Sequence, residues 1–260
     1  MDPHYAYEEE IGRLRSQLAT AQNELNSFVH TVSHDLGAPL RAVTSFSGLL
    51  KGKYAGKLDE KGELYLSFVM EGGHKAQAML SGLLQYSRLE TQTKPMGPVD
   101  LHDLLSQCHA DLRDKIAAAN AALHIGALPT VIADSAQYYQ LFMALLDNAL
   151  TYRKADGGPS HIYISVEDLD TFWKFKIDDN GIGITPANQD RVFQIFKRLH
   201  SDEQYPGSGI GLALAKKIAE RHGGTIGMAT SPYGGAQCWF TLPKPLTESL
   251  EHPVLRRNAS

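Results

Sequence analysis

The sequence predicts two domains of different class: an all-α helical hairpin, doubled to a four-helix bundle in a dimer, followed by an α+β sandwich. Three observations lead there. Ile11, Leu14, Leu18, Ala21, Leu25, Phe28 and Val32 recur at alternating steps of three and four, a heptad seam over about three repeats. Helical spacing then continues to residue 92 with one turn signal, "KGKYAGKLDEKG" (51–62), in between. After "TKPMGP" (93–98), whose prolines break the pattern, short alternating strands intersperse with helices.

The seam is narrow, starts near the N-terminus and has no sheet to lie on. It therefore predicts a parallel coiled coil over 1–27 rather than a helix packed on its own domain. With Val32 on the seam, His34 falls two residues off it and faces water. Val43, Phe46, Leu49 and Leu50 carry the first hairpin helix forward, and Leu66, Val69, Ala76, Met79, Leu80, Leu83 and Leu84 mark the second. A lone hairpin buries little, so 28–92 is expected to pair with a second copy as a homodimer. Residues 93–98 read as a linker and 99–245 as the α+β domain. There a helix is expected at 101–119, strands at 122–125 and 130–133, and a helix at 135–152. "HIYISVED" and "FWKFKIDD" follow as paired strands, then a short helix, a polar loop, a helix over 210–222 and strands at 224–230 and 236–242. That order predicts a mixed sheet with helices on one face. Residues 246–260 read as a loose tail.

Composition narrows the partners. Of 260 residues, 43% are hydrophobic and 21% charged, ordinary for a soluble globular chain. A formal charge of −4 gives no general attraction to nucleic acid or anionic lipid. The 2 cysteines, Cys108 and Cys238, lie far apart without metal-ligand spacing and read as reduced thiols of a cytoplasmic protein. No apolar run approaches the roughly 18 residues that span a bilayer, and "MDPHYAYEEE" is no signal peptide, so no membrane insertion is expected.

The chemistry-bearing residues are spread over three places. "LLDNALTYR" puts Asn148 on a helix, "DDNGIGI" places Asp179, Gly181 and Gly183 after a strand, and "PGSGIGLALAKK" places Gly207, Gly209 and Gly211 at the opening of a helix. Each alone is a weak signal, but together and in this order they specify a nucleotide site. Glycines ahead of a helix let backbone N–H groups approach phosphate oxygens, and the helix N-terminus favours their charge. An Asn carbonyl oxygen is a hard ligand suited to Mg²⁺, which takes further ligands from substrate phosphates. Asp179 at a strand end can accept a hydrogen bond from the adenine amino group.

On these motifs the chain resembles the sensor histidine kinases of two-component systems, over nearly its whole length. "VSHDLGAPL" resembles their phosphoacceptor box, "LLDNA" the N box, "DNGIGI" and "GSGIGLALAKKIAERHGG" the two glycine boxes, and "VFQIF" the F box. The stretch from Arg191 to Gly224 is especially similar to phytochrome-type kinase modules. The resemblance implies a dimerisation and phosphotransfer hairpin followed by a Bergerat-type ATP-binding domain, with ATP and Mg²⁺ as ligands. His34 is then the phosphoacceptor and Asp35 the acid that orients its ring. Asn148 is the Mg²⁺ ligand. Tyr152, Arg153, Lys154, Asp179, Gly181, Gly183, Gly207, Ser208, Gly209, Ile210, Gly211 and Leu212 line the nucleotide. Pro39 frees the carbonyl of Asp35, so a bend is expected beside His34. The implied partner is the receiver domain of a response regulator. No sensor precedes the coiled coil, so the expectation is a fragment or a chain cued by a sensor partner.

The chain departs from the family pattern at several positions. Gly37 stands where an arginine is common. Ala144 replaces a polar residue four before Asn148, which disfavours ATP hydrolysis of the chaperone or topoisomerase kind. Thr151 replaces the usual lysine, leaving phosphate neutralisation to Arg153 or Lys154. Lys197, Arg198 and His200 sit on the expected lid, where Arg198 could stabilise charge on the transferring phosphoryl group. Ala144 and Thr151 also sustain an alternative, a phosphotransfer or scaffold protein with a weakly catalytic ATP domain. Ala38 stands where bifunctional relatives carry Thr or Asn.

Overall fold

A computed structural model describes residues 3–89, 94–155, 158–200, 204–205 and 207–245. The chain opens with two long helices, α1 (Pro3–Lys53) and α2 (Glu60–Arg88), joined by a short turn. Asp59 caps α2 by accepting a hydrogen bond from Gly62 N–H at 2.8 Å. Glu63 accepts from Gly56 N–H across the turn at 3.2 Å. The helix α1 continues through Pro39.

The inner face of α1 is made of small and polar residues. Ser33, Gly37, Thr44 and Ser47 are buried against the hairpin, and Asn26 accepts from the Ser87 hydroxyl at 2.8 Å. Gln77 donates to Thr44 Oγ1 at 2.9 Å. A Cβ on Gly73 would lie 2.5 Å from the Thr44 methyl, so the helices approach closely there because Gly73 has no side chain. The apolar heptad seam lies elsewhere on the surface: Leu18 is 62%, Leu25 60% and Phe28 65% exposed in the single chain.

The second domain holds a five-stranded mixed sheet in the order β2-β4-β5-β7-β6 and a separate pair, β1 with β3. Its elements are β1 (Gly97–Asp100), α3 (Leu101–Asp111), α4 (Arg113–Ala118), β2 (Ala121–Ile125), β3 (Thr130–Ala133), α5 (Ser135–Thr151), β4 (Ser160–Leu169), β5 (Phe172–Asp179), α6 (Gly211–Arg221), β6 (Ile226–Thr230) and β7 (Ala236–Pro243). Only β2 and β4 run parallel in the large sheet. Three details differ from the sequence reading. The expected helix over 101–119 is split at Leu112, and Gly97 and Pro98, read as linker, pair with Ala133 and Ile132 as a strand. The single short helix before the lid is two 3₁₀ turns, Pro186–Asn188 and Arg191–Phe193.

Strand alternation sends Ile162, Ile164, Phe175, Ile177, Phe240 and Leu242 to one face, where α5 supplies Tyr138, Leu141, Phe142 and Leu146. Phe142 meets the rings of Phe175 and Phe240 edge-on. Cys108 and Cys238 are buried free thiols. Burial pushes the Cys108 thiol up to about 12, which makes it chemically inert. Asp134 caps α5 through Ala136 and Gln137 N–H and also accepts from Lys94 N–H at 2.9 Å, which ties the connecting segment to the domain.

The two domains meet where the end of α2 lies on α6. A Cβ on Gly82 would lie 2.4 Å from the Ile210 side chain, so this glycine receives Ile210 directly. Lys217 sits 4.2 Å above the Tyr86 ring, and Leu89 C=O accepts from Arg221 at 2.7 Å and from Gln137 at 3.2 Å.

Candidate active site

The end of α5, the loop after β5 and the start of α6 enclose one cavity. Its walls include Ala144, Asp147, Asn148, Thr151 and Tyr152 from α5 and its cap, and Asp179, Ile182, Gly183 and Ile184 from the loop after β5. Gly207, Ser208, Gly209, Gly211 and Leu212 complete it from the α6 side. Three separate stretches of sequence therefore converge, because α5 and α6 pack side by side on the sheet whose central strand, β5, ends at Asp179.

Asp179 is nearly buried, 7% exposed. Its Oδ1 accepts from Gly181 N–H at 2.8 Å and Ala236 N–H at 2.9 Å, fixing the first glycine loop against β7. Burial raises its pKa and these two backbone donors oppose the rise. A Cβ on Gly235 would lie 2.2 Å from that same oxygen, and one on Gly181 would lie 2.3 Å from Tyr152 C=O. Gly181 thus shapes the loop from behind without lining the cavity. Gly183 at φ 73° and Gly209 at φ 72° adopt the left-handed backbone that glycine accepts readily.

The second glycine loop delivers α6. Ile210 is its N-cap and makes no side-chain cap, so the first N–H groups of the helix remain to be satisfied from the cavity side. Ile210 itself is buried and turned toward Gly82 rather than into the cavity. At the base of the lid, Phe196 N–H donates to Gly209 C=O at 2.9 Å, with Phe196 held at φ 63°. A bulky residue at positive φ is uncommon, so the neighbouring contacts must hold it there.

Positive charge at the cavity comes from the lid. Lys197, Arg198 and His200 line it, whereas Arg153 and Lys154 line a neighbouring groove with Ser160, His161 and Asn180. Arg198 donates to Tyr205 C=O, and Tyr205, His200 and Tyr152 form a cluster of rings with centroids 5.1–6.0 Å apart. The sequence reading did not include Asp147, Ile182, Ile184, Val192, Leu199, Met228 or Ala236, all of which contribute to the wall. Ile182 and Ile184 stand in the first glycine box and Val192 in the F box, whereas Leu199, Met228 and Ala236 lie outside the motifs and are brought to the site by packing.

On α1, His34 is an exposed imidazole, its side chain 77% accessible, with Nδ1 3.1 Å from Asp35 Oδ1. It does not line the cavity.

Comparison with known proteins bears directly on this pair of features. Residues 24–92 match the His Kinase A (phospho-acceptor) domain, and residues 133–246 match the histidine kinase-, DNA gyrase B-, and HSP90-like ATPase family. The chain belongs to the histidine kinase family. It is 37% identical over 235 residues to cyanobacterial phytochrome A of Nostoc, covering 90% of this chain and 30% of that protein. It is 33% identical to the phytochrome-like protein Cph1 of Synechocystis, covering 90% of this chain and 31% of that protein. The kinase module therefore spans about 30% of the length of these relatives. In fold, it aligns with full-length ShkA in complex with AMPPNP at a TM-score of 0.61 and 24% identity, over 83% of this chain and 45% of that one. Both expected domain classes are present, and the match to the ATPase family implies ATP binding. No helix among the described residues is long and apolar enough to cross a membrane.

Proposed function

We propose that the chain is an ATP-dependent protein-histidine kinase that phosphorylates His34 and passes the phosphoryl group to an aspartate of a response-regulator receiver domain. The observation that carries this is the His34–Asp35 contact, 3.1 Å between Nδ1 and Oδ1, on an imidazole otherwise open to solvent. A carboxylate at Nδ1 fixes the tautomer with its proton on that nitrogen and leaves the lone pair on Nε2. Nε2 attacks the γ-phosphorus, the N–P bond forms, and the bond to the bridging oxygen breaks with its electrons leaving on ADP. Asp35 stabilises the developing positive charge on the ring and accepts the Nδ1 proton.

The nucleotide sits among the three motifs. Asp179 has Oδ1 committed to the loop, so Oδ2 is the oxygen that accepts from the adenine amino group. Gly207, Ser208, Gly209, Gly211 and Leu212 present the N-terminus of α6 to the phosphates. The amide oxygen of Asn148 fits a hard cation, and Mg²⁺ held there would neutralise charge shared between the phosphates. Arg153 and Lys154 lie off the cavity wall, so Lys197 and Arg198 take over the positive charge that Thr151 does not supply. Ala144 gives the wall no group to activate water, which supports transfer to histidine over hydrolysis.

Since His34 does not line the cavity, transfer requires the catalytic domain to leave its seat on α2 or to reach a partner's histidine. The exposed apolar seam supports a homodimer. Incubation with γ-labelled ATP should give a label that is lost in acid and survives base. Absence of such a label with normal ATP binding would favour the scaffold reading.

A further inference from the structure

The sheet face turned away from the helices carries a row of rings that the nucleotide site does not use. The strands β2 and β4 run parallel, pairing His124 with Tyr163 and Ala122 with His161. Because Ile162 and Ile164 point into the core, His161 and Tyr163 point to the opposite face. The His124 ring stacks on Tyr163 with centroids 4.5 Å apart and planes 13° apart. Tyr163 stacks in turn on Tyr233 at 3.9 Å. Beside this stack, His124 Nε2 and His161 Nδ1 share a hydrogen bond of 3.2 Å, one ring donating and the other accepting, with ring centroids 5.4 Å apart; an ion held by both nitrogens would replace the shared proton. Neither histidine lines the ATP cavity.

Two imidazole nitrogens at this separation are spaced like neighbouring ligands on one metal ion. Zinc–imidazole bonds of about 2.0–2.1 Å put adjacent nitrogens about 2.9 Å apart at a right angle and about 3.3 Å apart at the tetrahedral angle. The observed 3.2 Å falls between these limits. Both rings are also held in place before any ion arrives. Stacking on Tyr163 fixes the plane of His124, and the His161 ring stacks against both His124 and Tyr163, with centroids 5.4 and 6.3 Å away. An ion reaches them easily, since His124 is exposed and His161 half-buried.

We propose that His124 Nε2 and His161 Nδ1 chelate a divalent transition metal of the Zn²⁺, Ni²⁺ and Cu²⁺ class, with water completing the coordination. Imidazole nitrogen suits these ions, whereas Mg²⁺ and Ca²⁺ prefer oxygen, so the site does not compete for the metal of the nucleotide. Among the described residues no group of three or more His, Cys, Asp or Glu could hold a metal. The site is therefore a two-ligand chelate of moderate affinity that keeps open positions. Its mechanical effect follows from topology. The edge strand of the five-stranded sheet is β2, and a bridging ion fastens that edge to β4. Both rings must be neutral to bind, so protons compete with the metal.

The test is calorimetric titration of the full, nucleotide-free chain with NiCl₂, ZnCl₂ and CuSO₄ in a non-chelating buffer at about pH 7.5. Alongside run His124→Phe, which keeps a ring to stack on Tyr163, His161→Ala, and the surface control His102→Ala. The expected result is one ion per chain with micromolar affinity, weakened about 10-fold or more in either site variant and unchanged in the control. Added Ni²⁺ should raise the melting temperature of the wild type and not of either site variant. Mg²⁺·ATP affinity should be equal in all four proteins, which reports an intact fold. Equal metal affinity in wild type and both site variants, or no binding below millimolar metal, would overturn the proposal.

Discussion

Helices α1 and α5 are both rich in apolar residues, yet they treat them in opposite ways. On α5, Tyr138, Leu141, Phe142 and Leu146 are each 0% exposed, packed on the sheet of their own domain. On α1, Leu18, Leu25 and Phe28 stay at 60% or more exposed, while the face toward α2 is small and polar. The catalytic domain is therefore complete within one chain, and the hairpin is not. Burial of apolar surface contributes roughly 25 cal/mol per Å², so the uncovered seam leaves the hairpin short of stabilisation in the single chain, which supports the proposed homodimer. The same division separates the proposed chemistry: the candidate nucleotide site is built by packing, and His34, the proposed phosphoacceptor, stands on a solvent-exposed helix surface.

The largest effect should come from the residue that divides these roles most sharply. His34→Gln is expected to remove phosphoryl incorporation entirely while leaving ATP affinity within about 2-fold, since the nucleophile and the cavity lie in separate domains. Filter-binding of labelled chain together with nucleotide titration checks both halves; acid-labile label in the variant would mean another acceptor. Asn148→Asp attacks the other region. A carboxylate beside the triphosphate should lower autophosphorylation by about 100-fold or more, because the γ-phosphate is misplaced even where ATP still binds. Near-normal turnover would remove Asn148 from the metal-ligand role.

Stability should divide in the same way. Phe142→Ala empties the centre of the catalytic core and should cost about 3–5 kcal/mol, at any protein concentration. Leu18→Glu with Leu25→Glu should instead shift the monomer–dimer equilibrium by several kcal/mol and leave the catalytic domain folded. Light scattering and thermal melts at two concentrations distinguish them. A concentration-independent loss in the Leu18/Leu25 variant would show that the seam packs within one chain.

A smaller effect is expected with pH. His222 is buried, its Nε2 accepting from Asp134 N–H at 3.2 Å and its Nδ1 2.8 Å from Ile218 C=O. Burial lowers its pKa below the ordinary 6.5, so the folded domain holds fewer protons than the unfolded chain. Stability contributed by the neutral ring is full above that unfolded value and falls as pH drops below it. Chemical denaturation from pH 7.5 to 5.5 should show this decline, by at most about one proton per unfolding event, and His222→Gln should reduce it. An unchanged pH dependence in that variant would point to another group. The smallest expected effect concerns Ala38, which is exposed on α1 and has no polar side chain. His34→Ala protein should not speed decay of a phosphorylated cognate regulator; a marked acceleration would show that another group positions water.

The motifs were legible because phosphate and metal chemistry demand particular residue types at fixed spacings. Asn148, Asp179, Gly183, Gly207, Gly209 and Gly211 could all be picked out before any fold was known, and all line the cavity. The strand at Gly97–Asp100 was not legible, because Pro98 argues against strand and its partner is more than thirty residues away. Arg153 and Lys154 looked as good as Lys197 and Arg198 in sequence, since charge carries no direction until the backbone turns after α5.

What the sequence determined by itself was local and periodic: the two domain classes, the heptad seam, His34 off that seam, and the motifs that name a nucleotide. Periodicity encodes which face of an element is apolar, and spacing encodes which groups can share a turn. Tertiary structure alone decided which apolar face stays uncovered in one chain, which cations reach the cavity, and that Gly82 receives Ile210. Those outcomes depend on contacts between residues far apart along the chain, whose distances are set only when helices and sheet pack together.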